Sequence, residues 1–247
     1  MARLTSGMLG FPEFRGFTRT LILWNLGAFF LLLILGAVAK TSAAAIIAVL
    51  ALDPGLVLHH GFLWQLLTYC VIHSGILSTA FELLSLWFLG SLLEGIHGPR
   101  WLAEIFFVSV LGAGLAALLL YLVMPQEVAT IYACWGGIFG LLIAIGVLHG
   151  DMPFMMFPLP ITIKAKYLVA VYMLIALAML FSAQRVFAFS QLGGALAGFL
   201  YLKVAPRRGF ALAGSEAAFG LRNRYYRWKR RRAAKKFEVY MRKHRDN

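Results

Sequence analysis

The feature that most constrains this chain is its set of long apolar runs. Six stretches, residues 21–39, 76–93, 105–124, 128–148, 167–183 and 186–202, carry almost no charge. Each is close to the ~20 residues that a helix needs to cross ~30 Å of hydrocarbon. Lipid accepts such segments because a helix satisfies its own backbone polar groups. The expected fold is therefore an all-α polytopic membrane protein, a bundle of six transmembrane helices. A mean hydropathy of +0.80 and a charged share of 13% agree with it. The runs are interrupted at His97-Gly98-Pro99-Arg100, at Pro125-Gln126-Glu127 and around Pro153, Pro158 and Pro160. The last two are short, which implies little tilt or partial burial in the bundle. The first is longer than a signal-peptide core and no small-residue cleavage pattern follows it, so it reads as a retained span.

Three regions follow: an N-terminal segment 1–20, a membrane domain 21–204 and a basic tail 205–247. Lys and Arg counts orient them. With the N-terminus inside, the inner side collects Arg3, Arg15, Arg19, Arg100, Lys164, Lys166 and the tail, leaving Lys40 and Arg185 outside. Both termini are thus expected to be cytoplasmic. Residues 41–75, semi-apolar and interrupted by Pro54, His59, His60 and Trp64, become an extracytoplasmic surface or re-entrant loop. The compact domain and basic inner tail point to a bacterial plasma membrane rather than a eukaryotic organelle. Cys70 and Cys134 show neither metal nor redox spacing, and no cofactor is expected.

A polar group inside a span is costly, so each is a candidate for function or for a buried hydrogen bond. Ser78 and Glu82 lie four apart on the second run, where Glu82 would be neutral, paired or wetted by a cavity. The same pair could simply hold neighbouring helices together. Gly136 with Gly140, and Gly194 with Gly198, are spaced to let two helix backbones approach, which suggests contact between the fourth and sixth helices.

Leu63-Trp64-Gln65-Leu66-Leu67-Thr68-Tyr69, His73-Ser74-Gly75 and Leu86-Trp87-Phe88-Leu89-Gly90 with Glu94 and Gly98 resemble the second helix of rhomboid intramembrane proteases and its approach. The glycines from 136 to 140 are similar to the nucleophile helix of that family, and residues 191–199 to the helix that carries its histidine. The matches run in family order over about residues 62–202. The resemblance implies a six-helix rhomboid-like bundle, with 41–75 as its first large loop, and serine-type endopeptidase activity in typical members.

The departures decide what this chain can do. The family's Gly-x-Ser-Gly aligns with Ala133-Cys134-Trp135-Gly136, so Trp135 stands at the serine. Its histidine precedes Leu-Gly-Gly, and here that residue is Gln191. The His and Asn that stabilise the oxyanion align with Ser78 and Glu82. Indole is no nucleophile, an amide is no general base near neutral pH, and an ionised carboxylate would repel the developing charge. Cys134 lies one residue from the serine position, turned about 100° around the helix, with no histidine in any run to activate it. It reads as a small buried apolar residue, and His59, His60 and His73 as interfacial residues of the loop. No metal site is read.

The tail carries most of the 23 Lys and Arg, with Arg227, Trp228, Lys229, Arg230, Arg231 and Arg232 at its centre among Tyr225, Tyr226, Phe237 and Tyr240. Anionic lipid attracts such clusters by about 1 kcal/mol per charge, and aromatics seat among headgroups. Without a nucleic-acid fold motif, lipid rather than RNA is the expected contact. The whole reads as a rhomboid pseudoprotease that binds transmembrane segments of client proteins without cutting them. An active intramembrane serine endopeptidase would need a nucleophile that the sequence does not supply. A transporter or channel would need more ionisable residues within the runs than Glu82.

Overall fold

The computed structural model describes residues 13–126, 130–156 and 161–204. Along them run helices α1 (Gly16–Val38), α2 (Lys40–Leu50), α3 (Pro54–His60), α4 (Gln65–Thr68), α5 (Ile76–His97), α6 (Pro99–Val123), α7 (Trp135–Leu148), α8 (Ala165–Met179) and α9 (Arg185–Val204). Strands β1 (Pro153–Met156) and β2 (Ile161–Lys164) form an antiparallel pair with Pro153 opposite Lys164. The tail and the calls made on it, Arg227 to Arg232 included, lie outside the described residues.

Among the described residues four helices, α1, α5, α6 and α9, are long and apolar enough to cross a membrane. The apolar helices α7 and α8 have 14 and 15 residues, a rise of about 21 and 22 Å that falls short of the hydrocarbon core. Within the run 128–148, the described residues 130–134 are not helical and the helix begins at Trp135. Two non-local constraints delay the helix. Leu52 and Ile131 exchange backbone hydrogen bonds of 2.9 and 2.8 Å, and the Ala133 amide donates to Ile72 O at 2.7 Å and Tyr69 O at 3.1 Å. Ala133 is held there in a left-handed conformation, φ 83°. Non-helical backbone is tolerated at depth because protein surrounds it; Ile131, Ala133 and Cys134 are all buried.

Between α5 and α6 the chain reverses at one residue, Gly98, whose φ of 89° suits glycine. Pro99 then opens α6, where its missing N–H leaves no helix bond unmade. Residues 41–75 fold into an organised cap. Asp53 caps α3 by accepting from the amides of Gly55 and Leu56, and Gly61 ends it in the left-handed region. The buried Gln65 ties this cap together: its Oε1 accepts from Asp53 N at 3.0 Å and its Nε2 donates to Ala48 O and Val49 O. Tyr69 Oη donates to Val110 O of α6 at 2.8 Å.

The core is the triple contact of α6, α7 and α9. It is built from small residues, since lipid offers no hydrophobic gain for helix association and close approach must supply the attraction. A Cβ at Gly194 would stand 2.8 Å from the carbonyl carbon of Gly136, and one at Gly198 would stand 2.8 Å from Gly140 Cα. A Cβ at Gly193 would strike Ala116 of α6, and one at Gly112 would strike Ala197 of α9. The pairs Gly136 with Gly194 and Gly140 with Gly198 make α7 and α9 parallel neighbours.

Candidate functional site

Where α5 and α7 begin, three chemically capable side chains from distant parts of the sequence converge. His73 sits three residues before α5, Glu82 two turns into that helix, and Cys134 at the cap position of α7. His73 Nε2 and Glu82 Oε2 are 3.1 Å apart, with the side chains only 1% and 4% exposed. A ligand atom of each of the three residues lies within 4.8 Å of the other two. Cys134 is fully buried.

The orientation of the ring is set by its second nitrogen. His73 Nδ1 is 3.1 Å from Val71 O; a carbonyl only accepts, so Nδ1 carries a proton, and Nε2 either presents a lone pair or, in the imidazolium, a second proton. Nε2 faces a carboxylate oxygen at ion-pair distance. Neither His73 Nε2 nor Glu82 Oε2 has any hydrogen-bond partner. Two buried acceptors facing each other this closely call for a cation between them, a proton or a metal ion. The thiol adds a third donor.

The arrangement is not a nucleophile and base. No hydrogen bond joins Cys134 to His73 among the described residues, and the accepting nitrogen of the ring faces Glu82. The expectation that His73 is an interfacial loop residue is corrected: the turn before α5 folds His73 inward, where the ring of Phe29 in α1 meets it edge-on at 6.4 Å.

The other positions singled out from sequence scatter around this cluster. Ser78 is exposed and donates to Gly75 O of its own turn at 3.0 Å, so it does not share the buried face of Glu82 despite the four-residue spacing. Trp135 is half-buried against Phe139, the rings 6.4 Å apart at 68°. Gln191 is buried on α9 and its Oε1 has no hydrogen-bond partner. It lies about one turn toward the helix start from Gly194, hence at the same end of the α7 and α9 pair as Cys134.

At the opposite end of the bundle, Glu94 caps α1. Its carboxylate accepts from Phe17 N at 2.7 Å, Thr18 N at 2.8 Å and Thr18 Oγ1 at 2.6 Å. His97 Nε2 meets His149 Nε2 at 3.1 Å while its ring stacks on Trp101, and Tyr201 Oη donates to Glu104 at 2.9 Å. Glu104 lies within α6, so the bundle holds more ionisable groups than the apolar runs suggested.

A protein-family model described as "Eukaryotic integral membrane protein (DUF1751)" matches residues 24–215, most of the chain and all of the cluster. The chain belongs to this family. No curated protein matches it. Membership in DUF1751 makes the chain a multi-pass membrane protein and overturns the expected bacterial plasma membrane, because the family is eukaryotic. The features behind that expectation could not have decided it: a basic tail orients a protein in any membrane with an anionic inner leaflet, and a compact domain reflects helix number alone.

Proposed function

We propose that this DUF1751 protein is a rhomboid-like six-helix membrane protein that binds transmembrane segments of client proteins and does not cleave them. The observation that carries the reading is the pair Trp135 and Gln191. Each stands where the resemblance puts a reacting group, the nucleophile on α7 and the base on α9, at the same end of two parallel helices in backbone contact. Neither side chain has the chemistry to react.

The backbone supports the same reading. Ala133 takes the left-handed conformation that a glycine adopts freely, and glycine is the residue that the rhomboid motif has at the aligned place. Residues 41–75, with helices α2, α3 and α4, stand at the place along the chain where the resemblance puts the first large loop of the family. In this reading the short α7 and α8 complete six crossings, α7 by starting below the membrane surface within protein.

The test reconstitutes the full-length protein in liposomes with a tagged membrane substrate whose transmembrane helix is destabilised by glycine and proline, and in parallel installs a photo-crosslinking residue at exposed positions of α5 and α8 in native membranes. The expected outcome is an intact substrate and crosslinks to transmembrane segments of other proteins. A cleaved substrate with the unmodified protein would overturn the proposal, as would crosslinks to lipid alone.

A further inference from the structure

We infer that His73, Glu82 and Cys134 form a zinc site buried in the bundle. The inference goes beyond client binding and stands on different residues, so the failure of either leaves the other intact.

Donor chemistry comes first. Imidazole nitrogen, carboxylate oxygen and thiolate sulfur together are a zinc set, whereas magnesium and calcium take oxygen ligands. Charge comes next. With Glu82 and Cys134 ionised and His73 neutral, the protein ligands carry two negative charges, so a divalent ion leaves the site with no net charge. Neutrality matters here more than in a soluble protein, since an uncompensated ion at membrane depth is among the costliest groups to bury.

Geometry agrees. Donors bound to zinc at 2.0–2.3 Å with tetrahedral angles stand roughly 3.3–3.8 Å from one another. Here Nε2 and Oε2 are 3.1 Å apart and the sulfur lies within 4.8 Å of both. A displacement of the Cys134 sulfur by about 1 Å closes the remaining gap. The hydrogen bond from His73 Nδ1 to Val71 O is the outer contact that fixes a zinc-bound imidazole and leaves its other nitrogen free to ligate. His73 Nε2 and Glu82 Oε2 stand at ion-pair distance with no hydrogen bond to either atom, and both side chains are more than nine-tenths buried.

Three protein ligands leave a fourth position for water or for a group brought by a bound molecule, the arrangement of zinc sites that are open to ligands. Loading releases the thiol proton of Cys134 and any proton shared by His73 and Glu82.

The experiment measures metal in the full-length protein, purified in detergent, stripped by a chelator and reloaded with zinc or cobalt. Zinc is expected at one ion per chain, with a raised Tm, and cobalt should give a thiolate-to-metal charge-transfer band. Cys134→Ser, nearly isosteric, should abolish that band and raise the Kd for zinc at least about tenfold; Glu82→Gln should do the same to zinc affinity. Cys70→Ser, which changes the thiol bonded to Leu67 O, should bind as the unmodified protein does. Zinc-free protein after loading at saturating metal would overturn the inference and assign the gap between His73 and Glu82 to a proton. Undiminished binding by Cys134→Ser would overturn it too. If a variant misfolds, zinc protection of Cys134 from a small thiol reagent in denaturant-softened unmodified protein decides the matter, with Cys70 as the unprotected internal control.

Discussion

The seam between α7 and α9 and the peripheral helix α1 belong to one bundle but are held by opposite means. In the seam, Gly194 and Gly198 meet the backbone of Gly136 and Gly140, and backbone cannot move aside as a side chain can. Along α1 most of the length is exposed, with Trp24, Leu31, Ile34 and Val38 outward, and the helix is fastened at its start by one carboxylate, Glu94, that accepts three hydrogen bonds. Asn25 adds a buried bond to its own helix, Nδ2 to Leu21 O at 2.7 Å. The contrast teaches that in lipid, where apolar surface gains nothing by leaving one neighbour for another, a helix is held by steric fit or by polar contacts. Each kind fails in its own way.

The largest effect should come from the seam. Gly194→Leu drives a side chain into the backbone of Gly136, which no rotamer avoids, and should destabilise the protein by more than about 3 kcal/mol. It would be read as loss of the monodisperse peak in size-exclusion chromatography. The same substitution at Gly27 of α1, where a Cβ would meet nothing within 4 Å, should stay within about 0.5 kcal/mol of the unmodified protein. Equal effects at the two glycines would end the comparison.

Next in size is the fastening of α1. Glu94→Ala leaves the Phe17 and Thr18 amides and the Thr18 hydroxyl without their acceptor, a loss of about 2 kcal/mol of the kind that follows removal of a helix cap. Thermal unfolding should fall, and hydrogen exchange should rise first at residues 16–20 while the seam stays protected. Exchange that rises equally in α9 would show that α1 and the seam unfold as one unit.

A smaller effect of opposite sign is expected where the seam begins. Ala133 is left-handed, a conformation that costs a residue with a Cβ about 1–2 kcal/mol. Ala133→Gly removes that strain and adds unfolded-state entropy, for a net gain of about 0.5 kcal/mol, seen as a raised Tm. A lowered Tm would mean that the methyl group packs for more than the strain it causes.

Much of this architecture could be read from the sequence, and the reasons differ residue by residue. The long helices follow from apolar length, and the turn at Gly98-Pro99 from the two residue types that suit the end and start of a helix. The four-residue spacing of Gly136 with Gly140 and of Gly194 with Gly198 is visible in the sequence, because close backbone approach needs small residues one turn apart. The start of α7 was not legible, because the apolar run continues through residues 128–134 and the constraint that stops the helix there is pairing with Leu52, Tyr69 and Ile72, far away in the chain. The cluster was missed for a related reason. His73 precedes its helix, so its nine-residue separation from Glu82 matches no helical period, and Cys134 arrives from another element. One signal pointed to it: an acid within a membrane helix needs a partner, and His73 is the nearest basic side chain in sequence.

The smallest effect belongs to neither mode of packing and lies at the exposed turn before β1. Asp151 Oδ1 accepts from Lys166 Nζ at 2.8 Å and from Lys164 Nζ at 3.4 Å. Those hydrogen bonds, with the positive charge behind them, hold its carboxyl below the usual Asp range. The sign follows from the depressed value: Asp151 contributes stability above its unfolded pKa of about 3.9, and that contribution is lost as pH falls through the lower folded pKa. Asp151→Asn should therefore lower the Tm slightly near pH 7, and the difference from the unmodified protein should vanish in acid once the carboxyl is protonated in both states. Because all three side chains are exposed, the difference at pH 7 should also shrink in high salt. A gap that persists in acid would locate the effect in the shape of the turn rather than in the charge, and would make this turn, like the glycine seam, a contact governed by fit.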